Sequence, residues 1–273
     1  MIKMSTNEYD IELQVPNNII RQKVYITLTE NKSIRYSLDG ERWNDLCYVI
    51  PKWNYCIKCA HPLPSNEECH AHDEKREILT RTIAVGLYFR TGTPRRNILT
   101  DLILSLKSSI NPAIVLGASM SFILEKRLYG VDYKNFDLIT YVPLHENEMK
   151  QDSDLEIKYN QAELLAHVIS QILKLKVIPL FIKKMPASLR WRSVEERWEI
   201  ARRVYSLNPQ IDTKILKNKS ILIVDDIRTT GATGNTLAQL LIKHGAREVT
   251  LLVAGRTFYY NIYRHLLDKL YKS

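Results

Sequence analysis

The sequence lacks the marks of a membrane or exported protein. In 273 residues the longest apolar-rich stretch, Ala113 to Leu124, is too short to span a bilayer. The opening Met-Ile-Lys-Met-Ser-Thr-Asn-Glu has no apolar core of signal-peptide type. A cytoplasmic protein with no membrane partner is therefore expected. No internal repeat or low-complexity segment is apparent, which excludes solenoids and disordered arrays. Cysteine is scarce: there are four, and three of them fall in one short segment. The length suffices for one α/β domain of ordinary size plus a smaller module.

The most informative stretch present is Ser220-Ile-Leu-Ile-Val-Asp-Asp-Ile-Arg-Thr-Thr-Gly-Ala-Thr-Gly. Ile221 to Val224 read as a parallel strand buried on both faces, and such strands deliver their loops to a ligand crevice at their carboxyl ends. Asp225 and Asp226 stand at that end. Thr229, Thr230, Gly231, Ala232 and Thr233 follow, able to wrap amides and hydroxyls around an anion at the start of a helix predicted from about Gly234 to His244. Vicinal ribose hydroxyls want carboxylate acceptors and a 5′-phosphate wants amide donors, so the order fits a ribose phosphate. A triphosphate-binding loop would carry a lysine after its glycines, and a dinucleotide fingerprint would read G-x-G-x-x-G; neither is here. The bland alternative is a carboxylate-ended strand before an ordinary turn. The run resembles the phosphoribosyl pyrophosphate (PRPP) motif of type I phosphoribosyltransferases. That resemblance implies Asp225 and Asp226 on the ribose hydroxyls, Thr229 to Thr233 on the 5′-phosphate, and magnesium accompanying PRPP.

Cys56-Ile-Lys-Cys59 and Cys69-His-Ala-His72 give C-x2-C, nine residues, then C-x2-H, which is metal spacing. Zinc is the expected ion, held by Cys56, Cys59, Cys69 and, because it repeats the first pair's spacing, His72; His70 and His61 are rivals. In so small and polar a segment, zinc binding of roughly 10–16 kcal/mol would supply most of the order. A disulfide is disfavoured in the cytoplasm. Cys47 stands apart and reads as a small buried hydrophobe.

Around these anchors, Lys23 to Thr29 and the run from Ser33 to an Asp39-Gly40 turn predict a small antiparallel β element. Strands are expected at Thr82–Phe89, Phe136–Leu144, Val177–Ile182, Ile221–Val224 and Val249–Ala254. Helices are expected at Pro94–Lys107, after an Asn111 N-cap with Pro112 at the first helical position, at Gln161–Leu173 and at Val194–Tyr205. Strands alternating with helices predict an α/β fold, a doubly wound and mostly parallel sheet.

The whole order of features resembles the ComF-type, competence-associated phosphoribosyltransferases, which place a cysteine zinc module ahead of a type I transferase domain. Ala84-Val-Gly-Leu-Tyr-Phe, Ile103-Leu-Ser-Leu-Lys107, Tyr141-Val-Pro-Leu and Tyr159-Asn-Gln-Ala-Glu-Leu-Leu-Ala carry the likeness beyond the PRPP loop, over roughly Cys56 to Thr257. The division implied is 1–50, a small antiparallel β segment; 51–78, a zinc-binding module; and 79–273, a phosphoribosyltransferase-like domain. The activity implied is transfer of phosphoribosyl from PRPP to a nitrogen acceptor. Asp225 and Asp226 would fix the ribose, Arg197 would offset charge on the leaving group, and Pro143, Leu144, His145 and Lys158 would lie on the pyrophosphate side.

The chain departs from the family where several arginines usually flank pyrophosphate: it reads His145-Glu-Asn-Glu-Met-Lys-Gln-Asp-Ser-Asp-Leu-Glu-Ile-Lys158. These carboxylates would repel pyrophosphate unless magnesium intervenes, so the loop folds away or pyrophosphate is held by fewer groups such as Lys150 and Lys158. Leu189 or Arg190, and Ile200, replace the family's glutamine and asparagine, while Ser193 and Arg197 keep register. Lys183, Lys184, Arg190 and Arg192 are candidates for a cationic lid. The formal charge of +9 suits polyanions, PRPP or nucleic acid, although a solvated basic surface is its commoner meaning. The alternative function is a non-catalytic PRPP-responsive zinc protein binding single-stranded DNA in DNA uptake or recombination, with Lys52, Trp53, Tyr55 and Lys58 as a stacking surface; the commoner meaning of Trp53 and Tyr55 is packing under the zinc ribbon. Tyr259 to Tyr271 read as an amphipathic helix that caps the domain or makes the contact of a homo-oligomer.

Overall fold

Alternate burial builds the first sheet. In a computed structural model, which describes residues 6–63, 68–90, 93, 96–187 and 192–259, β1 (Asn7–Val15) turns Tyr9, Ile11, Leu13 and Val15 inward and polar residues outward. It pairs antiparallel with β2 (Asn18–Leu28), which pairs with β3 (Ser33–Ser37), and that with β4 (Asn44–Tyr48), a four-stranded meander. The Asp39-Gly40 turn joins β3 to β4: Asp39 accepts from the amides of Glu41 and Arg42, and Gly40 has φ +83°. The meander's buried face shares one hydrophobic core with everything that follows.

That remainder is a parallel sheet with helices. β5 (Arg81–Phe89) leads to α1 (Ile98–Ser105), α2 (Pro112–Glu125) and β6 (Leu138–Tyr141). The short pair β7 (Lys150–Gln151) and β8 (Lys158–Tyr159) precedes α3 (Gln161–Leu173) and β9 (Phe181–Lys183). Then come α4 (Val194–Val204), β10 (Tyr205–Leu207), β11 (Ser220–Arg228), α5 (Ala232–Lys243) and β12 (Glu248–Phe258). The central order is β5-β12-β11-β6, parallel at every pairing. β12 is buried at every position but its first, as a strand covered on both faces must be. The result is the α/β, phosphoribosyltransferase-like architecture expected of the alternating pattern.

Local departures have local causes. The strand expected at Val177–Ile182 is reduced to one parallel bridge, Val177 to Ile139, and the short β9, with Pro179 between them unable to donate a ladder bond. Asn111 is already helical (φ −54°, ψ −40°) and makes no side-chain cap; Pro112 opens α2 without it. Part of the helix expected from Pro94, and the one expected over Tyr259 to Tyr271, lie outside the described residues.

Helices α2 and α3 cross closely because Gly117 has no side chain: a Cβ there would stand 2.6 Å from Val168 Cγ1 and 2.7 Å from its Cβ. Alanine gains about 1 kcal/mol over glycine inside a helix, but overpacking a rigid branched neighbour costs about 1–3 kcal/mol. Gly117→Ala is therefore expected to lose up to about 2 kcal/mol net. Urea denaturation should show a lower midpoint at unchanged slope, and adding Val168→Ala should recover part of the loss.

Candidate functional site

Strand β11 ends at the carboxyl edge of the sheet and turns straight into α5, whose start lies two residues earlier than the sequence pattern suggests. Gly231 is the N-cap, left-handed at φ +86°. Thr229, Thr230, Gly231, Ala232 and Thr233 line a recess of about 70 Å³ together with Asp225 and Arg197. Unpaired amides at a helix start, with the helix dipole behind them, are suited to an anion. Arg197, on α4, reaches this recess and is steadied by a bond from its Nε to the Arg192 carbonyl, 3.1 Å away.

The two carboxylates sit side by side. Asp226 donates its amide to Asp225 Oδ1 at 2.9 Å and faces the Gln161 amide at 3.4 Å. Burial, and then the like charge of Asp226, push the Asp225 carboxyl well above its ordinary range. Hydroxyl donors arriving at this pair would relieve both causes.

No motif in the sequence marks the groups that lie beneath the turn. Arg228 lines the recess too and is buried within the protein: its side chain is 1% exposed, its Nη2 is 2.6 Å from Glu77 Oε2, and its Nη1 is 2.7 Å from Thr82 Oγ1. A Cβ on Gly231 would lie 2.6 Å from Arg228 Nη2, so the glycine is required by contact as well as by φ. Arg256, on β12 and fully buried, donates from Nη1 to the carbonyls of Arg228, Thr229 and Thr257, and from Nη2 to that of Ala71. Asn235 of α5 accepts from the amides of Ile78 and Leu79. The signal that could have found these groups is weak, because a lone arginine in a strand reads as a surface charge.

Ala71 and Glu77 belong to the segment leaving the cysteine cluster. The ligand atoms of Cys56, Cys59, Cys69 and His72 all lie within 4.8 Å of one another. Cys59 Sγ to Cys69 Sγ is 3.5 Å and Cys56 Sγ to His72 Nδ1 is 3.8 Å. A tetrahedral zinc with bonds of about 2.0–2.3 Å spaces its donors at about 3.3–3.8 Å, so both chemistry and spacing fit. The C-x2-C turn is closed by the Ala60 amide on the Cys56 carbonyl, with Ala60 at φ +56°. Of the rival ligands, His70 is exposed, and His61 is buried and stacked on Phe258; burial, then Arg256, push the His61 imidazole down to about 4. Trp53 is buried, Tyr55 packs edge-on against Tyr129 at 5.0 Å, and Lys58 donates to the Leu79 carbonyl. The aromatics proposed for stacking on bases thus serve the interior.

Where the sequence suggests a pyrophosphate side, Val142 donates to Val224 and accepts from the Asn160 side chain, the N-cap of α3, which fixes the start of the turn through Pro143, Leu144 and His145. Lys158 is exposed in the β7–β8 pair. Of the proposed lid cations, Lys183 is drawn inward, Arg192 pairs with Glu196 on the surface, and Arg190 lies outside the described residues.

Removing one partner of a buried ion pair leaves the other charge uncompensated, at about 3–5 kcal/mol. Glu77→Gln should destabilise the protein by that order, about 3–5 kcal/mol, in a urea melt, although it touches nothing in the recess.

Residues 183–257 match the model of the phosphoribosyl transferase domain, a stretch that runs from the end of β9 to the end of β12 and contains the whole β11–α5 turn. Among curated proteins none matches the chain. Two solved structures have some likeness to it: the allosteric regulatory enzyme of purine biosynthesis (13% identity, TM-score 0.32, 86% of this chain and 37% of that one), and the glutamine phosphoribosylpyrophosphate amidotransferase of B. subtilis complexed with ADP and GMP (12%, 0.32, 86% and 38%). The chain thus spans less than two fifths of either protein. What it carries, by the match at residues 183–257, is a phosphoribosyltransferase-type domain.

Proposed function

We propose that the chain binds PRPP at the β11–α5 turn and, as a phosphoribosyltransferase of the ComF type, transfers phosphoribosyl to a nitrogen acceptor with release of pyrophosphate. The observation that carries the reading is the sequence of groups along one turn: two adjacent carboxylates, then amides and hydroxyls around a recess at a helix start. Asp225 and Asp226 would accept from the ribose 2′- and 3′-hydroxyls, and residues 229 to 233 would donate to the 5′-phosphate. With both ends of the sugar held, the anomeric carbon is fixed relative to its leaving group and its attacker, and positioning carries most of the rate in such chemistry. Arg197 lines the recess and would offset charge as pyrophosphate departs. Magnesium, bound with PRPP, would supply further charge neutralisation on the diphosphate.

Zinc is the ion proposed for Cys56, Cys59, Cys69 and His72, in a structural role: with four protein donors it has no open position. The division into residues 1–50, 51–78 and 79–273 is retained as a proposal about sequence modules.

Asp225→Asn combined with Asp226→Asn should reduce PRPP affinity, measured calorimetrically with magnesium, by at least about 100-fold, as expected for two charge-assisted bonds at 1.5–3 kcal/mol each. Undiminished affinity in the double variant would remove the ribose assignment. For the metal, elemental analysis should find about one zinc per chain, and Cys56→Ser should lose it while the far-ultraviolet signature of the sheet persists. A metal-free preparation with unchanged stability would eliminate zinc.

A further inference from the structure

Among the acidic residues after β6, one is not on the surface. Glu148 closes the short helical turn Glu146–Glu148 and is drawn inward, where its carboxylate accepts from three donors. Lys183 Nζ lies 2.6 Å from Oε2 and 2.8 Å from Oε1, the Ala187 amide reaches Oε1 at 3.1 Å, and the His145 amide reaches Oε2 at 3.2 Å. The Lys183 side chain is 5% exposed and Glu148's is 20%. One ammonium and two amides converging on an oxyanion is the donor set that holds a phosphate.

The place of this set is as informative as its composition. Lys183 pairs with Tyr205 across β9 and β10, and its Nζ lies 5.7 Å from the Tyr205 ring centre. Strand β10, which carries Tyr205, packs against α5, whose first turn brings Thr233 into the recess, and Asp225 and Glu148 both act electrostatically on the Tyr205 hydroxyl. The Glu148 carboxylate is therefore one side chain away from the phosphate turn, on the side where the connection after β6 enters. Burial alone would raise the Glu148 carboxyl, but Lys183 and the two amides hold it below its ordinary value, so it stands there charged.

We propose that Glu148 is a built-in stand-in for the leaving pyrophosphate: it occupies the anion subsite formed by Lys183 Nζ and the amides of His145 and Ala187, and PRPP binds fully only when its diphosphate displaces it. The proposal rests on the PRPP reading given above. It makes the acidic turn a competitor in cis, and it gives Lys183 a diphosphate partner in the bound state.

The test is calorimetric titration of the full chain, wild type and variants, with three probes: ribose 5-phosphate, inorganic pyrophosphate with magnesium, and PRPP with magnesium. Glu148→Gln keeps the shape and removes the charge, so pyrophosphate and PRPP should bind about ten-fold tighter or more, a step set by removal of one like charge at close range. Ribose 5-phosphate should be unaffected. Lys183→Met should weaken pyrophosphate and PRPP by at least about ten-fold and again spare ribose 5-phosphate; it keeps the proposal testable should Glu148→Gln fail to fold. Unchanged or weaker pyrophosphate binding in folded Glu148→Gln, or unchanged binding in Lys183→Met, would overturn the proposal while leaving the PRPP reading intact. Failure of the wild type to bind ribose 5-phosphate would instead overturn the PRPP reading, and this proposal with it.

Discussion

Two guanidinium groups with almost no exposed surface, Arg228 and Arg256, hold the β11–α5 turn from below. A buried charge is expensive unless it is paired and hydrogen-bonded, and an apolar side chain would fill the same volume at less cost. What an apolar group cannot do is tie five segments in one geometry. Arg228 joins the end of β11 to Glu77 and to Thr82 on β5. Arg256 joins the end of β12 to the carbonyls of residues 228 and 229 and to Ala71 beside the cysteine cluster. The forks fix the carbonyl side of the turn, so its amides are left facing the recess. Gly231 follows as a consequence, since no other residue leaves room for the Arg228 guanidinium beneath it.

The charges beneath the turn do not balance within the turn. Glu77 neutralises one guanidinium, and Arg256 donates to carbonyls beside the Cys59 sulfur, whose electrostatic effect on it is favourable. With zinc bound, three thiolates against a divalent ion would leave one net negative charge, which would serve as its counter-charge. A zinc-loaded cluster would therefore do more than order a small polar segment: it would complete the electrostatics of the floor on which the phosphate turn rests. This gives a physical reason for a cysteine module to precede a ribose-phosphate domain in one chain, independent of any contact with nucleic acid.

How much of this was legible in the sequence depended on how local each feature is. The β11–α5 turn and the cysteine spacing were legible because their chemistry lies within fifteen or so consecutive residues. Helix α3 was legible to the residue because its apolar period is clean and Asn160 caps it. Strand β1 was missed although Tyr9, Ile11, Leu13 and Val15 alternate, since the charges between them suggest a polar terminus. Arg228, Arg256 and Glu77 were illegible for another reason: burial is a property of the assembled fold, and a charged residue in isolation reads as exposed. For Trp53 and Tyr55 the sequence left two readings, stacking on bases or packing beneath the cysteine segment, and it is the packing that the fold displays.

The acidic connection after β6 shows most clearly why composition misleads near a site. Counted as charge, it reads as repulsion toward any diphosphate. Resolved into side chains, its acids have different fates. Asp152 is buried and caps the amides of Ile110, Asp154 and Leu155, so it is part of the scaffold. Glu146, Asp154 and Glu156 are exposed, where salt screens them within roughly 8–10 Å. Only Glu148 of these combines an inward position with a cation partner, and a carboxylate so held costs the protein little while no diphosphate is present, because it satisfies the Lys183 ammonium and the amides of His145 and Ala187. The charge of Glu148 itself is then offset by Lys183. A ligand bringing its own oxyanions meets donors already assembled, and what it must overcome is one carboxylate's hold on them, not the summed charge of the loop.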